Sequence, residues 1–529
     1  MKNALGGIIT GLLLGLAWPM SPLTPLLFMA WVPLLLVEQT YRERPMPFWL
    51  NYFSFVIWNA FVSWWVYFAS AGGSLLAILE NALVMALIFQ LAHFLNRQLY
   101  RFKMGSFLVK AQIPFLLVWL SFEYLHHDWD LSYPWLTLGN GLANHTHWIQ
   151  WYEYTGVLGG SCWILMVNLL LLQVINQRKI VKGLLYIVPA IVCPIGLSYF
   201  IFNHVRPTSN KGICNVAIVQ PNIDPYNEKF NGDYTNQLRK MLEQAKFIVD
   251  TSTELLVFPE TALTENLLEN NLEASQSIPL LRQFLAHYPN LTILTGASTA
   301  RIFEPFEVHG STAQKLPNSN NYFENYNTAL SIHGNEPIGI YHKSKLVPGV
   351  ELMPFPSLLK PLESLALNLG GTMGSLGTQK ERLNFTHSRG FPFAPIICYE
   401  SIYGDFVSQY AKEGAALLCI ITNDGWWSDT PGYKQHLIYG RLRAIETRKT
   451  IVRSANTGIS AFINEKGEIL QQTNWWKAQV IKAQVKLNND TTLYVRFGDW
   501  IGKLATALTG LIFVILLAFK TKTLVNFKS

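Results

Sequence analysis

The sequence has 529 residues, of which 50% are hydrophobic and 14% are charged, and its formal net charge is +7. Soluble domains usually carry about 25% charged residues, so this composition excludes a chain whose whole surface faces water. The excess of positive charge does not indicate a nucleic-acid partner. In the first 205 residues Lys and Arg lie only in short gaps between apolar runs, which is the pattern of a membrane protein.

Eight apolar runs are candidates for membrane helices. They lie near residues 4–20, 22–38, 48–70, 74–96, 106–126, 150–176, 183–203 and 500–519. Because a helical span requires roughly 20 apolar residues, we predict a multi-span α-helical membrane domain of about eight helices. The first two runs are short and close together, so a re-entrant hairpin is the alternative to two full crossings.

The connections between these runs predict the orientation of the chain. Lys2 precedes the first run, and every second connection, like the C-terminal tail, is basic; these residues are Arg42, Arg44, Arg97, Arg101, Lys103, Lys110, Arg178, Lys179, Lys182, Lys520, Lys522 and Lys528. Basic connections stay in the cytoplasm, so both termini are predicted there and residues 206–499 outside. The predicted domains are therefore 1–205 with seven spans, 206–499, and 500–529 with the last span and a cytoplasmic tail.

Short β-rich runs alternate with polar helical segments between residues 206 and 499. This alternation predicts sheets covered by helices in one large α/β domain. A hairpin turn is predicted at residues 333–336 and a polar loop at residues 318–326. The predicted strands are 215–220, 255–258, 292–295, 329–332, 338–341, 395–398, 416–422, 451–454 and 460–463, and the predicted helices are 234–250, 278–287, 402–412 and 435–447.

Three predicted strands of this domain lead to a residue that is able to do chemistry: Glu260, Lys343 and Cys398. Ligands bind beyond the carboxyl ends of strands in open α/β sheets. A cysteine at a strand–turn–helix connection becomes a nucleophile when a base takes its proton and a cation stabilises the charge. Each residue also has an ordinary structural explanation, namely a helix-start carboxylate, a solvated lysine and a buried inert cysteine.

The five cysteines form no CxxC pair and no Cys/His cluster with metal-ligand spacing. Neither a disulfide framework nor a metal site is therefore predicted. Cys162 and Cys193 lie in apolar runs, and Cys214 and Cys419 lie in strand-like stretches, so these four are predicted to be small buried hydrophobic residues. No cofactor is predicted either.

Glu260, Lys343 and Cys398 together resemble, in type and chain order, the Glu-Lys-Cys triad of the nitrilase superfamily. Further blocks resemble the apolipoprotein N-acyltransferase family in particular. They are residues 422–427 (TNDGWW), 435–436 (QH), 441–446 (RLRAIE) and 453–458 (RSANTG) in the outer domain, and residues 133–136 (YPWL) with Gly139 and residues 156–159 (GVLG) in the membrane part. The resemblance covers nearly the whole chain.

The resemblance implies both a fold and an activity. The fold is a nitrilase-like αββα sandwich attached to membrane helices, in the inner membrane of a bacterium and with the catalytic domain on the periplasmic side. The activity is transfer of a fatty acyl chain from a phospholipid to the N-terminal α-amine of S-diacylglyceryl-cysteine in an apolipoprotein, through a thioester. The implied partners are the phospholipid donor and the diacylated apolipoprotein acceptor, and neither a cofactor nor a metal is implied.

The resemblance also assigns roles to residues of this sequence. These are Glu260 as general base, Lys343 as the cation that stabilises the oxyanion and Cys398 as nucleophile, with Glu351 as a second family carboxylate and Tyr399 and Glu400 flanking the nucleophile. Two positions depart from the family pattern. Gly349-Val350 stands where the family usually has Phe-Gly, and the aromatic residue expected after residues 220–223 is either Tyr226 or Phe230.

Two other functions fit the same motifs. One is a membrane-tethered nitrilase-type amidase, in which water resolves the acyl-enzyme, and the other is an inactive nitrilase-like receptor or scaffold. The complete triad argues against the scaffold, and eight spans argue against a hydrolase of soluble amides. Arg441 and Arg443 lie on opposite faces of a predicted helix, and at least one is predicted to be structural, pairing with Glu446 or another acid.

Overall fold

The computed structural model describes residues 2–102, 112–204, 212–230, 232–355 and 376–526. Contacts within the chain divide it into two compact units. The first unit comprises residues 1–67, 72–205 and 497–529, and the second comprises residues 68–71 and 206–496. Three of the basic residues used to predict the topology, Lys103, Lys110 and Lys528, lie outside the described residues.

The first unit is helical. Within its described residues, four helices are long and apolar enough to cross a membrane, at residues 71–101, 152–177, 181–204 and 500–520. Each of the eight predicted runs contains helical residues, while the number of crossings stays a prediction. Before the second unit the α-helices are α1 (Lys2–Leu16), α2 (Val32–Gln39), α3 (Phe48–Ser63), α4 (Ala71–Arg101), α5 (Ile113–Leu125), α6 (Tyr152–Gln177) and α7 (Ile180–His204).

The second apolar run is not one continuous α-helix. A short 3₁₀ helix at Thr24–Phe28 is separated from α2 by residues 29–31. Asn168 of α6 bridges this break, because its Oδ1 accepts from the Trp31 N–H at 2.9 Å and its Nδ2 donates to the Leu27 carbonyl at 2.8 Å. Unsatisfied backbone groups cost several kcal/mol in an apolar medium. A side chain from a distant helix therefore makes the break tolerable.

The part of the second unit that the structure describes contains two β-sheets. Its strands are β1 (Ile213–Gln220), β2 (Leu255–Val257), β3 (Leu263–Leu268), β4 (Thr292–Phe303), β5 (Gln314–Lys315), β6 (Tyr322–His333), β7 (Gly339–His342), β8 (Phe385–Thr386), β9 (Pro392–Ile397), β10 (Leu417–Thr422), β11 (Thr450–Ala455), β12 (Ala461–Ile463), β13 (Ile469–Gln472) and β14 (Gln479–Lys486). The first sheet runs β14, β1, β2, β4, β6, β5, with β3 paired to β4 and β7 paired to β6. The second runs β13, β12, β11, β10, β9, β8.

Helices pack against both sheets. The helices of this unit are α8 (Tyr234–Lys246), α9 (Ser277–Leu285), α10 (Gly404–Lys412), α11 (Pro431–Thr447) and α12 (Leu493–Phe497), and the last helix of the chain is α13 (Trp500–Asn526). Helix α8 buries residues three and four positions apart, including Leu238, Met241 and Leu242, in one core with α9 and the first sheet. Helices α10 and α11 contact strands β9 and β11 of the second sheet.

The two sheets meet face to face. Ser454 of β11 donates through its hydroxyl to the Val219 carbonyl of β1 at 3.3 Å, and the Ser460 N–H donates to the Gln220 side chain at 3.0 Å. Helix, sheet, sheet and helix therefore form four layers. Glu260, Lys343 and Cys398 follow β2, β7 and β9, so this arrangement brings strand ends from both sheets to one place.

Two features of this unit differ from the sequence prediction. The polar loop predicted at 318–326 is wrong in part, because β6 starts at Tyr322 and pairs with β4 along its whole length. The continuous ladder of backbone hydrogen bonds outweighs the polar side chains of that segment. The prediction also missed β3, β5, β8, β13 and β14, of which β14 forms an edge antiparallel to β1. The predicted hairpin turn at 333–336 is confirmed, since β6 and β7 form an antiparallel pair.

Candidate active site

Glu260 lies just beyond the end of β2, and its side chain is buried. The backbone is fixed on the neighbouring strand, because the Phe258 N–H donates to the Leu294 carbonyl at 2.8 Å. Thr261 then turns with a φ of 45°, in the left-handed region that few non-glycine residues adopt. Gly296 of β4 permits this approach, since a Cβ there would lie 2.4 Å from the Thr261 nitrogen. The turn therefore holds the carboxylate at one position.

Lys343 follows β7 and is almost completely buried, with 1% of its side chain exposed. Its Nζ lies 3.0 Å from Glu260 Oε1 and 2.9 Å from Glu351 Oε2. Asn327 of β6 spans the same two carboxylates, donating from Nδ2 at 2.8 Å to Glu260 and at 3.0 Å to Glu351. A lysine held in this way is not a solvated surface residue, so the ordinary explanation of Lys343 is wrong.

Glu351 is placed by a tight turn that follows Lys343. The Glu351 N–H donates to the Val347 carbonyl at 2.9 Å, and the Val347 N–H donates to Glu351 Oε2 at 2.9 Å. Gly349, at the centre of the turn, has a φ of 77°, which favours glycine. This position is one of the two that depart from the family pattern, and the glycine nevertheless allows the carboxylate to reach Lys343.

Electrostatic interactions in this group favour the charged forms. Burial raises the pKa of Glu260, but the ammonium groups of Lys343 and Lys229 and the Asn327 amide outweigh it, so the pKa lies below its ordinary value. Burial lowers the pKa of Lys343, but the carboxylates of Glu260 and Glu351 raise it well above its ordinary value. At neutral pH Glu260 is therefore a carboxylate and Lys343 an ammonium.

Cys398 comes directly after β9 and opens a 3₁₀ turn, Cys398–Ile402. Its φ is 50°, so the nucleophile candidate occupies a left-handed conformation that costs free energy and must be held by its surroundings. The Ser401 hydroxyl donates to the Cys398 carbonyl at 2.7 Å, and His436 Nε2 lies 3.3 Å from the same oxygen. Burial and the carboxylates of Glu260 and Asp424 raise the pKa of the Cys398 thiol. The thiol is therefore protonated beside an ionised carboxylate.

Glu400 connects the Cys398 turn to the Lys343 turn. One carboxylate oxygen accepts from the Ile397 N–H at 2.8 Å, and the other accepts from the Ser344 N–H at 2.6 Å and from the Tyr341 hydroxyl at 2.7 Å. Burial raises the pKa of Glu400 to about 7. Its neighbour Tyr399 is also buried and packs edge-on against Tyr403, with ring centroids 5.4 Å apart.

A buried charge network supports the Cys398 turn from below. Asp424, just after β10, accepts from Arg453 at 2.7 Å and lies 2.8 Å from His436 Nδ1. Burial raises the pKa of Asp424, but Arg453 and His436 lower it below its ordinary value. The other imidazole nitrogen of His436 lies 2.9 Å from the Ser401 hydroxyl. The network thus extends from β11 to the turn that carries Cys398.

Sequence reasoning missed two polar residues of the site. Asn327 lies within β6, and Lys229 lies between β1 and α8, with only 3% of its surface exposed. Lys229 Nζ donates to the Glu260 carbonyl at 3.1 Å and to the Thr261 hydroxyl. The only sequence signal for Lys229 is its place between the block at 220–223 and the strand of Glu260.

The two candidates for the family aromatic residue both contact Trp426. The Tyr226 ring lies edge-on to Trp426 at 5.4 Å, and the Phe230 ring stacks on it at 6.4 Å between centroids. The Tyr226 hydroxyl also donates to the Trp426 carbonyl at 2.7 Å. Tyr226 and Phe230 are exposed on one side of this cluster.

The remaining predictions concern arginines, cysteines and metals. Arg443 pairs with Glu446 at 2.7 Å, and both are buried, so the predicted structural pair is confirmed. Arg441 donates to the Gly467 carbonyl at 2.6 Å. All five cysteines are free; the predicted burial is confirmed for Cys214 and Cys419 and is wrong for Cys162, which is half-buried, and Cys193, which is exposed. Across the described ranges, which omit 103–111, 205–211, 231, 356–375 and 527–529, no group of three or more His, Cys, Asp or Glu side chains is arranged to hold a metal.

Comparison with known proteins defines the class of the second unit. Residues 215–492 match the model of the carbon-nitrogen hydrolase family, and with the two helix-covered sheets this confirms the predicted nitrilase-like fold. Among solved structures, yeast Nit3, a member of the nitrilase superfamily, is 13% identical with a TM-score of 0.39, covering 53% of this chain and 93% of Nit3.

Residues 10–170 match the model of the apolipoprotein N-acyltransferase N-terminal domain. The apolipoprotein N-acyltransferase of Chlorobaculum tepidum is 30% identical over 96% of this chain and 95% of its own length. That of Geobacter metallireducens is 26% identical over 99% of this chain and 96% of its own length. This chain belongs to the apolipoprotein N-acyltransferase family. With its four long apolar helices, it is a bacterial membrane protein and an acyltransferase.

Proposed function

We propose that this chain transfers a fatty acyl group from a phospholipid to the N-terminal α-amine of a diacylglyceryl-modified lipoprotein, through a thioester on Cys398. Family membership supports lipoprotein N-acylation. The observation that carries the proposed mechanism is the position of Lys343 Nζ, 3.0 Å from Glu260 Oε1 in a buried site whose charges also act on the Cys398 thiol. This arrangement supports Glu260 as the base, Lys343 as the cation and Cys398 as the nucleophile.

In the first half-reaction Glu260 accepts the thiol proton and the Cys398 sulfur attacks the ester carbonyl of the phospholipid. The negative charge that develops on the carbonyl oxygen is stabilised by the Lys343 ammonium. The bond to the glycerol oxygen then breaks, and Glu260 returns the proton to that oxygen. The products are a lysophospholipid and the Cys398 thioester.

In the second half-reaction the α-amine of the lipoprotein attacks the thioester. Glu260 accepts a proton from the attacking nitrogen, the new amide forms, and the Cys398 sulfur leaves and recovers its proton. Dividing one exchange into two attacks makes each step easier, because a thioester reacts readily with an amine. The waiting thioester requires that water is excluded from the site. Glu351 holds Lys343 in place through its ion pair, and Glu400 joins the Lys343 turn to the Cys398 turn.

The test is to incubate the purified full chain with labelled phospholipid alone. We expect label to accumulate on Cys398 as an adduct that neutral hydroxylamine removes, and to leave as amide when a diacylglyceryl peptide is added. Glu260→Gln keeps the shape of the side chain and loses the proton acceptor, so it should form little adduct. If free fatty acid is released steadily without acceptor and no label accumulates, the chain is instead a hydrolase.

The proposal includes an orientation in the inner membrane. The alternating basic connections support an orientation with both termini in the cytoplasm and residues 206–499 on the periplasmic side. A reporter fused after Lys522 should be active only in the cytoplasm, and one inserted near Asn318 only in the periplasm. Activity of both reporters on the same side would contradict the eight-span arrangement.

A further inference from the structure

Lys229 is a second buried ammonium beside the catalytic carboxylate. Its Nζ donates to the backbone carbonyl of Glu260 at 3.1 Å and to the hydroxyl of Thr261. With its oxygen turned toward the donors, the Asn423 amide also accepts from Lys229 Nζ at 3.1 Å and from Trp426 Nε1 at 3.2 Å. All three protons of the ammonium thus have acceptors, at the ends of β2 and β10.

The segment that carries Lys229 is itself fixed. The Asn456 side chain, just after β11, accepts from the Ile223 N–H at 3.0 Å and donates to the Ile223 carbonyl at 2.7 Å. The Lys229 N–H donates to the Asp224 carbonyl at 2.9 Å. Gln237 of α8 donates to the Glu228 carbonyl at 2.8 Å. Burying a charged lysine side chain costs free energy, so Lys229 requires a compensating interaction where it lies.

The charges around Glu260 explain what Lys229 supplies. The charged groups facing Glu260 are Lys343 after β7, Glu351 in the next turn, and Lys229, while the Cys398 thiol is neutral. Lys343 alone pairs with two carboxylates, which leaves one negative charge in excess. Adding Lys229 makes the group neutral. When Glu260 takes the thiol proton, the group with Lys229 carries one net positive charge, which stabilises the oxyanion of the tetrahedral intermediate.

The second sheet does not supply this missing charge. Asp424 also acts on the Cys398 thiol, but it is paired with Arg453 and His436. Burial lowers the pKa of Lys229 to about 8, although Glu260 and Cys398 act to raise it. The lysine is therefore mainly charged at neutral pH.

We infer that Lys229 is a positioning residue of the active site, which neutralises the Glu260–Glu351–Lys343 group and fixes the Glu260 turn. The inference rests on the proposed role of Glu260 as the base. Lys229 contacts the Glu260 backbone rather than the reacting atoms. Its positive charge lowers the pKa of Glu260, so this carboxylate remains able to accept a proton at a more acid pH. Its hydrogen bonds hold the strained Thr261 conformation.

The test measures Cys398 directly, by the rate of its alkylation with iodoacetamide as a function of pH in the full chain, read by mass spectrometry of the Cys398 peptide. The rate should fall at acid pH as Glu260 is protonated. In Lys229→Met the midpoint of this fall should move upward by about 1 pH unit, the smaller end of the shift expected from losing one opposite charge. Lys229→Arg keeps the charge and should restore the midpoint.

Two controls separate charge from structure. Thr261→Val removes one hydrogen bond of Lys229 and keeps the charge, so the alkylation midpoint should not move. Lys345→Met removes a nearby lysine that lies over the Tyr403 ring, and this variant should also keep the wild-type midpoint. An unchanged midpoint in folded Lys229→Met, or an equal shift in Thr261→Val, overturns the inference. If the Met variant does not fold, Lys229→Gln gives the same comparison.

Alkylation requires no acyl transfer, so its outcome is independent of the thioester assay. If the wild type forms no thioester but Lys229→Met still shifts the alkylation midpoint, the proposed function fails and the role of Lys229 remains. If the thioester forms and the midpoint does not move, the proposed function remains and the role of Lys229 fails.

Discussion

The two sheets contribute different things to the candidate site. The first sheet supplies charge: Lys343 and the Asn327 amide each contact the carboxylates of Glu260 and the adjoining Glu351 at 2.8–3.0 Å. The second sheet supplies a held backbone, because the Cys398 turn is fixed through its carbonyl and neighbouring peptide groups. Substitutions among the charged residues of the first sheet should therefore lower the rate of acyl transfer. Substitutions in the network beneath the Cys398 turn should first lower the stability of the fold.

The largest expected effect is at the nucleophile. Cys398→Ser should lower the rate of acyl-enzyme formation by at least about 10⁴-fold, since a hydroxyl holds its proton far more strongly than a thiol and loss of a nucleophile in comparable enzymes costs up to about 10⁶-fold. The measurement is the mass of the full chain after incubation with phospholipid. A thioester at wild-type abundance, on another residue of this variant, would assign the nucleophile elsewhere.

Next in size is the cation of the first sheet. Lys343→Ala should leave the protein folded and membrane-inserted but slow acyl-enzyme formation by about 10²- to 10³-fold, the cost of losing one oxyanion donor. Single-turnover labelling at saturating phospholipid measures this rate. Lys345→Ala, two residues away, is the matched control and should change it little. Equal losses in the two variants would remove the special role of Lys343.

A substitution in the charge network beneath the Cys398 turn should lower stability more than it lowers the rate of acyl transfer. Asp424→Asn leaves Arg453 buried without its counter-charge, which should cost about 3–5 kcal/mol of stability. The pKa of Asp424 is lowered in the folded protein, so its stabilisation is present above its unfolded pKa of about 3.9 and is lost as pH falls through the lower folded value. The stability difference from wild type should therefore narrow below about pH 4 in thermal unfolding. A variant as stable as wild type at neutral pH would contradict the supporting role of this network.

The smallest effect is expected at Glu400, which joins the Cys398 turn to the Lys343 turn. The Glu400 pKa is raised to about 7, so the wild type should lose stability as pH rises between the unfolded pKa of about 4.3 and that value. Glu400→Gln cannot ionise and should flatten this dependence. The amide nitrogen of Gln cannot accept a hydrogen bond, so the Ser344 N–H or the Ile397 N–H loses its acceptor. The substitution should therefore also cost about 1–3 kcal/mol of stability at acid pH. Unfolding midpoints at several pH values test both statements, and identical pH slopes would contradict the first.

The sequence allowed prediction of those site residues that follow strands. Glu260, Lys343 and Cys398 each follow a strand, and a short apolar run with a polar residue after it is visible in one sequence. Lys229 gives no such signal, because its burial depends on contacts with residues that follow β2 and β10, which no local pattern encodes. Asn327 was missed because the strand around it is polar and was predicted to begin later. The edge strand β14 was missed for the same reason, since exposed edge residues lack a run of apolar side chains.

The break in the second apolar run has a consequence for biosynthesis. Residues 27 and 31 take their hydrogen bonds from Asn168, which the ribosome adds more than a hundred residues later. Until α6 has entered the bilayer, these backbone groups are either hydrated or unpaired in lipid, and the second is costly. We therefore expect the N-terminal segment to remain near the membrane surface, or in contact with the insertion machinery, until α6 arrives. Substituting Asn168 should then delay protection of this early segment from water-soluble reagents during translation.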